Sequence, residues 1–64
     1  MRVFTTWELM RWTREQLKMT SDQISRELLI LPEGSLDRRI ALINLSNIQR
    51  ELTRRDMTAG RWSR

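Results

Sequence analysis

The chain has 64 residues, with twelve lysines and arginines against eight aspartates and glutamates, which gives a formal net charge of +4. A chain this short forms at most one domain, and it buries only about 60% of the surface that its unfolded form exposes. Histidine, cysteine and tyrosine are absent, which removes the commonest general base, the thiol nucleophile, disulfides and most zinc ligands. The composition therefore predicts a protein that is not an enzyme and that has no metal site, no cofactor and no small-molecule substrate.

The sequence also argues against a membrane protein. No apolar run approaches the roughly 20 residues that a membrane-spanning helix needs. Glu8, Arg11 and Arg14 interrupt any apolar region near the N-terminus, so no signal peptide is predicted. We expect a cytoplasmic protein that does not contact a membrane.

Cap signals and helical spacing predict an all-α fold of three helices, expected near residues 5–18, 20–31 and 35–56. Thr5 and Glu8 have the spacing of a capping box at the start of the first helix. Thr13 and Gln16 repeat that spacing, which leaves open a break near Trp12, although a single helix is favoured. This helix carries two apolar faces, so one of its tryptophans is expected to point outward as an interface anchor, and Trp12 is assigned that role.

The second predicted helix starts with another capping box, formed by Thr20 and Gln23. Its apolar face carries Ile24, Leu28 and Leu31. Pro32 disfavours the α conformation in the residue before it, so the helix is expected to end there. Pro32, Glu33 and Gly34 are residues typical of turns, so a turn is expected to follow.

Ser35 is the predicted cap of the third helix, and Asp37 lies in its first turn, where the helix dipole favours an anion. Its inner face is predicted to be Leu36, Ile40 and Ile43. A second apolar stripe, rotated by about 140°, carries Ala41, Leu45, Ile48 and Leu52. One long helix is favoured over a break between residues 44 and 46, because no glycine or proline interrupts it. Residues 1–57 are expected to form the domain, and residues 58–64 a basic tail that is disordered in solution.

The segment from Gln23 to Ile43 resembles the helix-turn-helix family of DNA-binding proteins. The matching positions are Gln23, Ile24, Ser25, Leu28, Ile30 and Leu36. The family usually has glycine at the position of Leu29 and a branched apolar residue at the position of Arg39. In size and composition the chain is also similar to small regulatory proteins of phages and mobile elements.

The resemblance implies a regulator that binds duplex DNA, with the N-terminal part of the third helix in the major groove. The charge agrees with this, because the residues after Asp37 carry seven cations and two anions. Base or phosphate contacts are expected from Ser35, Arg38, Arg39, Arg50, Arg54, Arg55 and Arg61, with Arg64 as a further phosphate contact.

The alternative is a protein-binding inhibitor or adaptor that acts through an apolar helix face rimmed by arginines. Leu42 and Leu45 support this protein-binding hypothesis, because such large apolar side chains would contribute little to contacts with DNA. The predicted interface is Trp12, Ala41, Leu42, Leu45, Ile48 and Leu52. Surplus apolar surface also predicts a homo-oligomer, most simply a two-fold dimer through Leu45, Ile48 and Leu52.

Overall fold

In the computed structural model, the described part of the chain comprises the backbone of residues 2–62 and the side chains of residues 2–57. It forms three helices: α1 (Thr6–Arg11), α2 (Arg14–Leu28) and α3 (Leu36–Trp62). The predicted all-α fold with a long C-terminal helix is therefore confirmed. None of these helices is both long and apolar enough to cross a lipid bilayer.

The boundary between the first two helices differs from the prediction. Thr5 caps α1 through the expected capping box with Glu8. A second capping box, between Thr13 and Gln16, starts α2 at Arg14. The predicted single helix over residues 5–18 is wrong, and so is the predicted start at Thr20, which lies inside α2.

The turn between α2 and α3 follows its sequence signals. The amide of Ser35 donates to the carbonyl oxygen of Pro32 at 3.2 Å. Gly34, the third residue of this turn, has a φ of 79°, as a type II turn requires. The Ser35 hydroxyl oxygen accepts from the amide of Arg38 at 3.2 Å and so caps α3 as predicted.

α2 and α3 form an antiparallel hairpin. At one end, a guanidinium nitrogen of Arg38 lies 2.8 Å from the carbonyl oxygen of Leu28. At the other end, Arg14 and Asp56 form an ion pair of 2.5 Å. α2 therefore contacts α3 at both of its ends.

The core lies between the hairpin and α1. Its buried apolar residues are Leu9, Leu17, Ile24, Ala41 and Ile48, and the partly buried residues packed on them are Phe4, Trp12, Leu28, Leu31, Leu45 and Leu52. The predicted face of α2 is confirmed, since Ile24, Leu28 and Leu31 all belong to this core.

α3 is rotated relative to the prediction. Leu36 is 69% exposed and Ile43 46% exposed, so the predicted inner face points largely to solvent. The buried stripe instead carries Ala41, Asn44, Ile48 and Glu51. The cost of burying the polar side chains of Asn44 and Glu51 is offset by their hydrogen bonds. For this reason α3 can place this face in the core.

The N-terminal arm, defined as residues 2–11, folds back over α3 and is held by the fully buried Asn44. The side-chain oxygen of Asn44 accepts from the amide of Phe4 at 2.8 Å. Its side-chain nitrogen donates to the carbonyl oxygen of Arg2 at 2.8 Å. Asn44 thus satisfies two backbone groups of a segment that has no helix or sheet partner.

α3 is continuous through residues 44–46, as favoured from the sequence. It also runs six residues past the predicted end at Asp56. The backbone of residues 58–62, predicted as a disordered tail, is therefore helical, whereas residues 63 and 64 lie outside the described part.

Candidate functional site

Two of the predicted DNA-contacting arginines are used inside the protein. The guanidinium of Arg38 donates to the carbonyl oxygens of Leu28 and Leu31, at 2.8 and 3.4 Å. These carbonyls belong to the end of α2 and the turn, where helix geometry leaves oxygens without an intrahelical partner. Arg38 is therefore committed to the hairpin, in contrast to its predicted role as a base reader.

Arg55 has the same role at the end of α1. Its Nη2 donates to the carbonyl oxygens of Leu9, Met10 and Trp12, at 3.1, 3.4 and 2.8 Å. A cation at this position both satisfies the carbonyls and opposes the negative end of the helix dipole. Arg55 is thus a helix cap, and a phosphate contact from it, as predicted from the sequence, would have to compete with these hydrogen bonds.

Glu51 orients Arg55 and is only 5% exposed. Its carboxylate accepts from Nε and Nη2 of Arg54, at 3.1 and 2.7 Å, and from Nε of Arg55 at 2.8 Å. The hydrogen bonds from Arg54, and then those from Arg55, lower the pKa of Glu51 to about 2, although burial alone would raise it. Glu51 and Arg55 are four residues apart on α3 and form an ion pair whose carboxylate is buried.

The exposed side of α3 carries the remaining predicted DNA contacts. Arg39 and Arg50 are exposed, and their side chains have no ion pair or hydrogen bond with another described residue. Arg54 is about half exposed while it holds Glu51. Between residues 38 and 55 the only carboxylate is the buried Glu51, so this outer face presents cations and neutral groups. The predicted phosphate contacts at Arg61 and Arg64 lie outside the described side chains.

The predicted protein interface is largely in the core. Ala41 and Ile48 are fully buried, and Leu45 and Leu52 are partly buried against them. Only Leu42, 48% exposed, points to solvent as expected. In the single chain Ile48 is already used in the core and Leu45 and Leu52 are partly covered, so the dimer through these three residues stays a prediction.

Of the two tryptophans whose side chains the structure describes, Trp7 faces outward and Trp12 does not. Trp7 is 76% exposed. Trp12 is half buried, and its ring packs edge-on against Phe4 at a centroid distance of 5.1 Å and an angle of 63°. The helix break after Arg11 explains why Trp12 is half buried, because the break places its ring against the arm.

An apolar surface that the sequence did not single out lies at the closed end of the hairpin. We call it the hairpin tip and define it by Leu29, Ile30 and Leu36. Leu29 and Ile30 are 86% and 81% exposed, and Leu36 is 69% exposed. The sequence contains a signal for this surface, because residues 28–31 are four consecutive apolar residues before Pro32. One helix face takes only Leu28 and Leu31, and Leu29 and Ile30 are left over.

A groove lies between the arm and the outer face of α3. Its walls are Thr6 and Met10 of α1 and Asn47, Arg50 and Arg54 of α3, and its floor is Leu9 and Glu51. Among the described residues there is no cluster of acidic side chains that could hold a metal ion. The groove therefore offers apolar and cationic contacts and no ligand set for a metal.

Comparison of the chain with family models, with curated proteins and with solved structures gave no match.

Proposed function

We propose that this chain is a small, non-enzymatic regulatory protein that binds another protein through the hairpin tip. The observation that carries the proposal is the exposure of Leu29, Ile30 and Leu36 at one end of the molecule. Single exposed apolar residues are ordinary, but neighbouring large ones are typical of interaction sites.

The chemistry of the tip specifies the partner. The charged residues that flank it in sequence are of both signs: Arg26, Glu27, Glu33, Asp37 and Arg39. Such a rim gives no net field that would attract a polyanion. The fitting partner is a protein with an apolar pocket that takes aliphatic side chains, in the way that apolar anchors enter a groove. Burying one leucine or isoleucine contributes about 1.5–3 kcal/mol, so two anchors can give useful affinity.

The experiment compares three immobilised chains: wild type, the double variant Leu29→Asp with Ile30→Asp, and the control Leu42→Asp on the outer face of α3. A host protein that is retained by the wild type and the control but not by the double variant is purified and titrated against each chain by calorimetry. Binding that is abolished only in the tip variant supports the proposal. Equal affinity of the purified protein for wild-type and tip-variant chains would refute it.

A second candidate is duplex DNA bound by the outer face of α3. It is favoured by one observation, the absence of exposed carboxylates between residues 38 and 55. Phosphate contacts need only cations on an accessible surface and do not depend on a helix-turn-helix crossing. The contacts would come from Arg39 and Arg50, since Arg38 and Arg55 serve as helix caps.

Fluorescence anisotropy of a labelled random duplex across a salt series tests this candidate. The variant is Arg39→Ala with Arg50→Ala, and the matched control is Lys18→Ala with Arg26→Ala, which removes the same charge from the exposed side of α2. If the outer face binds DNA, the first pair lowers the salt slope by about 0.9 for each phosphate that the protein no longer neutralises. Equal effects of the two pairs would show that net charge alone attracts DNA, and would refute a defined site.

A further inference from the structure

We propose that two copies of this chain exchange their N-terminal arms, so that residues 2–11 of each copy dock on α3 of the other. This inference is independent of what binds the hairpin tip.

The arm is held on α3 like a ligand. Asn44 binds the backbone at Arg2 and Phe4, and Leu9 inserts into the core as its buried apolar anchor. None of these contacts requires the arm to belong to the same chain, because Asn44 recognises backbone atoms and the core recognises an apolar side chain. An arm from a second copy would make the same contacts, which is the physical basis of domain swapping.

The connection between the arm and α2 is very short. Only Trp12 and Thr13 separate the two helices. Their φ angles, −77° and −70°, are already close to helical values, and only their ψ angles, 147° and 159°, are extended. A change of two ψ angles would therefore join α1 and α2 into one helix over residues 6–28.

Local sequence allows this continuous helix. No glycine or proline occurs between Phe4 and Leu31, and the residues flanking the break continue the helical pattern. The broken form is favoured by the capping box at Thr13 and by Arg55, which binds the carbonyls of Leu9 and Trp12. The continuous form replaces these contacts with intrahelical hydrogen bonds. In a single chain the continuous form also removes Leu9 from the core and the arm from Asn44, and the arm of a second copy would restore both contacts.

Straightening would carry the arm away from its own docking site. In the broken form the arm runs back along α3, with Phe4 at Asn44 and Trp12 at Arg55. In the continuous form it would extend α2 past Arg14, in the opposite direction. The site around Asn44 and Ile48 would then be open, and the chemistry that fits it is the arm of a second copy.

A proline at residue 14 distinguishes the two forms. Arg14 is the first residue of α2, a position that proline favours, and Thr13 before it is already extended. In a continuous helix the same proline would lie in the interior. The control is Arg14→Ala, which also removes the ion pair with Asp56 but permits the continuous helix.

Light scattering after size exclusion, over a series of protein concentrations, measures the association constant. We expect dimers of the wild type and of Arg14→Ala. Arg14→Pro should lower the association constant at least about a hundredfold, because an interior proline disfavours a helix by about that factor. A wild type that stays monomeric at millimolar concentration, or a dimer that is insensitive to Arg14→Pro, would overturn the proposal.

A crosslink identifies the exchanged arm directly. The chain has no native cysteine, and Thr6 and Asn47 line the same groove between the arm and α3. Chains with Thr6→Cys are mixed with chains with Asn47→Cys, unfolded and refolded together, and treated with a short bis-maleimide. A crosslinked heterodimer at the size-exclusion position of the dimer supports exchange. A dimer fraction without this crosslink would show that the copies associate through another surface and would refute exchange.

Discussion

Replacing Asn44 by alanine should release the N-terminal arm and lower the stability of the whole domain. Asn44 is fully buried, and its side chain makes two hydrogen bonds of 2.8 Å, one from the amide of Phe4 and one to the carbonyl oxygen of Arg2. A neutral hydrogen bond contributes about 1 kcal/mol net, so the two together contribute about 2 kcal/mol. The loss does not reach the larger penalty of two orphaned buried groups, because the start of the arm can move into water.

The matched control is Asn47→Ala, one turn further along α3. Asn47 is half buried, and its side chain makes no hydrogen bond to the described residues. Alanine is a better helix former than asparagine by roughly 0.5–0.7 kcal/mol, and both variants gain this amount. The difference between them therefore isolates the two hydrogen bonds of Asn44.

Urea and thermal unfolding followed by circular dichroism give the comparison. With a shift of about 4–8 °C per kcal/mol for a domain of this size, the melting temperature of Asn44→Ala should lie roughly 8–16 °C below that of Asn47→Ala. The amide of Phe4 should also exchange faster with solvent in the first variant. Free energies of unfolding that agree within about 0.5 kcal/mol, the ordinary range of surface substitutions, would refute the assignment of Asn44 as the clamp of the arm.

Three further perturbations check other parts of the fold. The pKa of Glu51 is lowered to about 2 in the folded state. Its ion pairs should therefore stabilise the domain fully above about pH 4.5, and this stabilisation should be lost as the pH falls towards about 2. The free energy of unfolding of Glu51→Gln, measured in urea, should depend less on pH over that interval. Gly34→Ala should cost about 1 kcal/mol, because φ is positive there, whereas Gly34→Asn should cost less in the same assay; equal losses would contradict the backbone explanation. Ile48→Ala should cost about 2–5 kcal/mol and Leu36→Ala less than about 1 kcal/mol, and the reverse order would restore the inner face predicted from the sequence.

Structural features that depend only on residues within one or two helical turns of each other were predictable from the sequence. The caps at Thr5 and Ser35, the turn at Gly34 and the length of α3 through residues 44–46 all depend on local backbone chemistry. The break at Trp12 was visible only as an alternative. The local sequence allows both a capping box and a continuous helix at this point. The broken form is stabilised by Arg55, which is 43 residues away from Trp12 in sequence.

The orientation of α3 could not be predicted by counting apolar residues. Its buried stripe contains Asn44 and Glu51, and a pattern of hydrophobic residues excludes such positions from the interior. They can be buried because the arm supplies backbone groups to one, and Arg54 and Arg55 supply cations to the other. The partners of both become evident only once the arm and α3 are assembled.

The same contacts change how the net charge should be interpreted. A formal charge of +4 suggests a surface that attracts polyanions, and the sequence assigned that role to the arginines after Asp37. In the fold, Arg38 satisfies the end of α2, Arg55 satisfies the end of α1, and Arg54 neutralises Glu51. Arginine suits these tasks because one planar group can donate to several oxygens. Two of the seven arginines after Asp37 therefore serve to close helix ends, and for this reason our proposal of a protein partner is based on the exposed aliphatic residues of the hairpin tip.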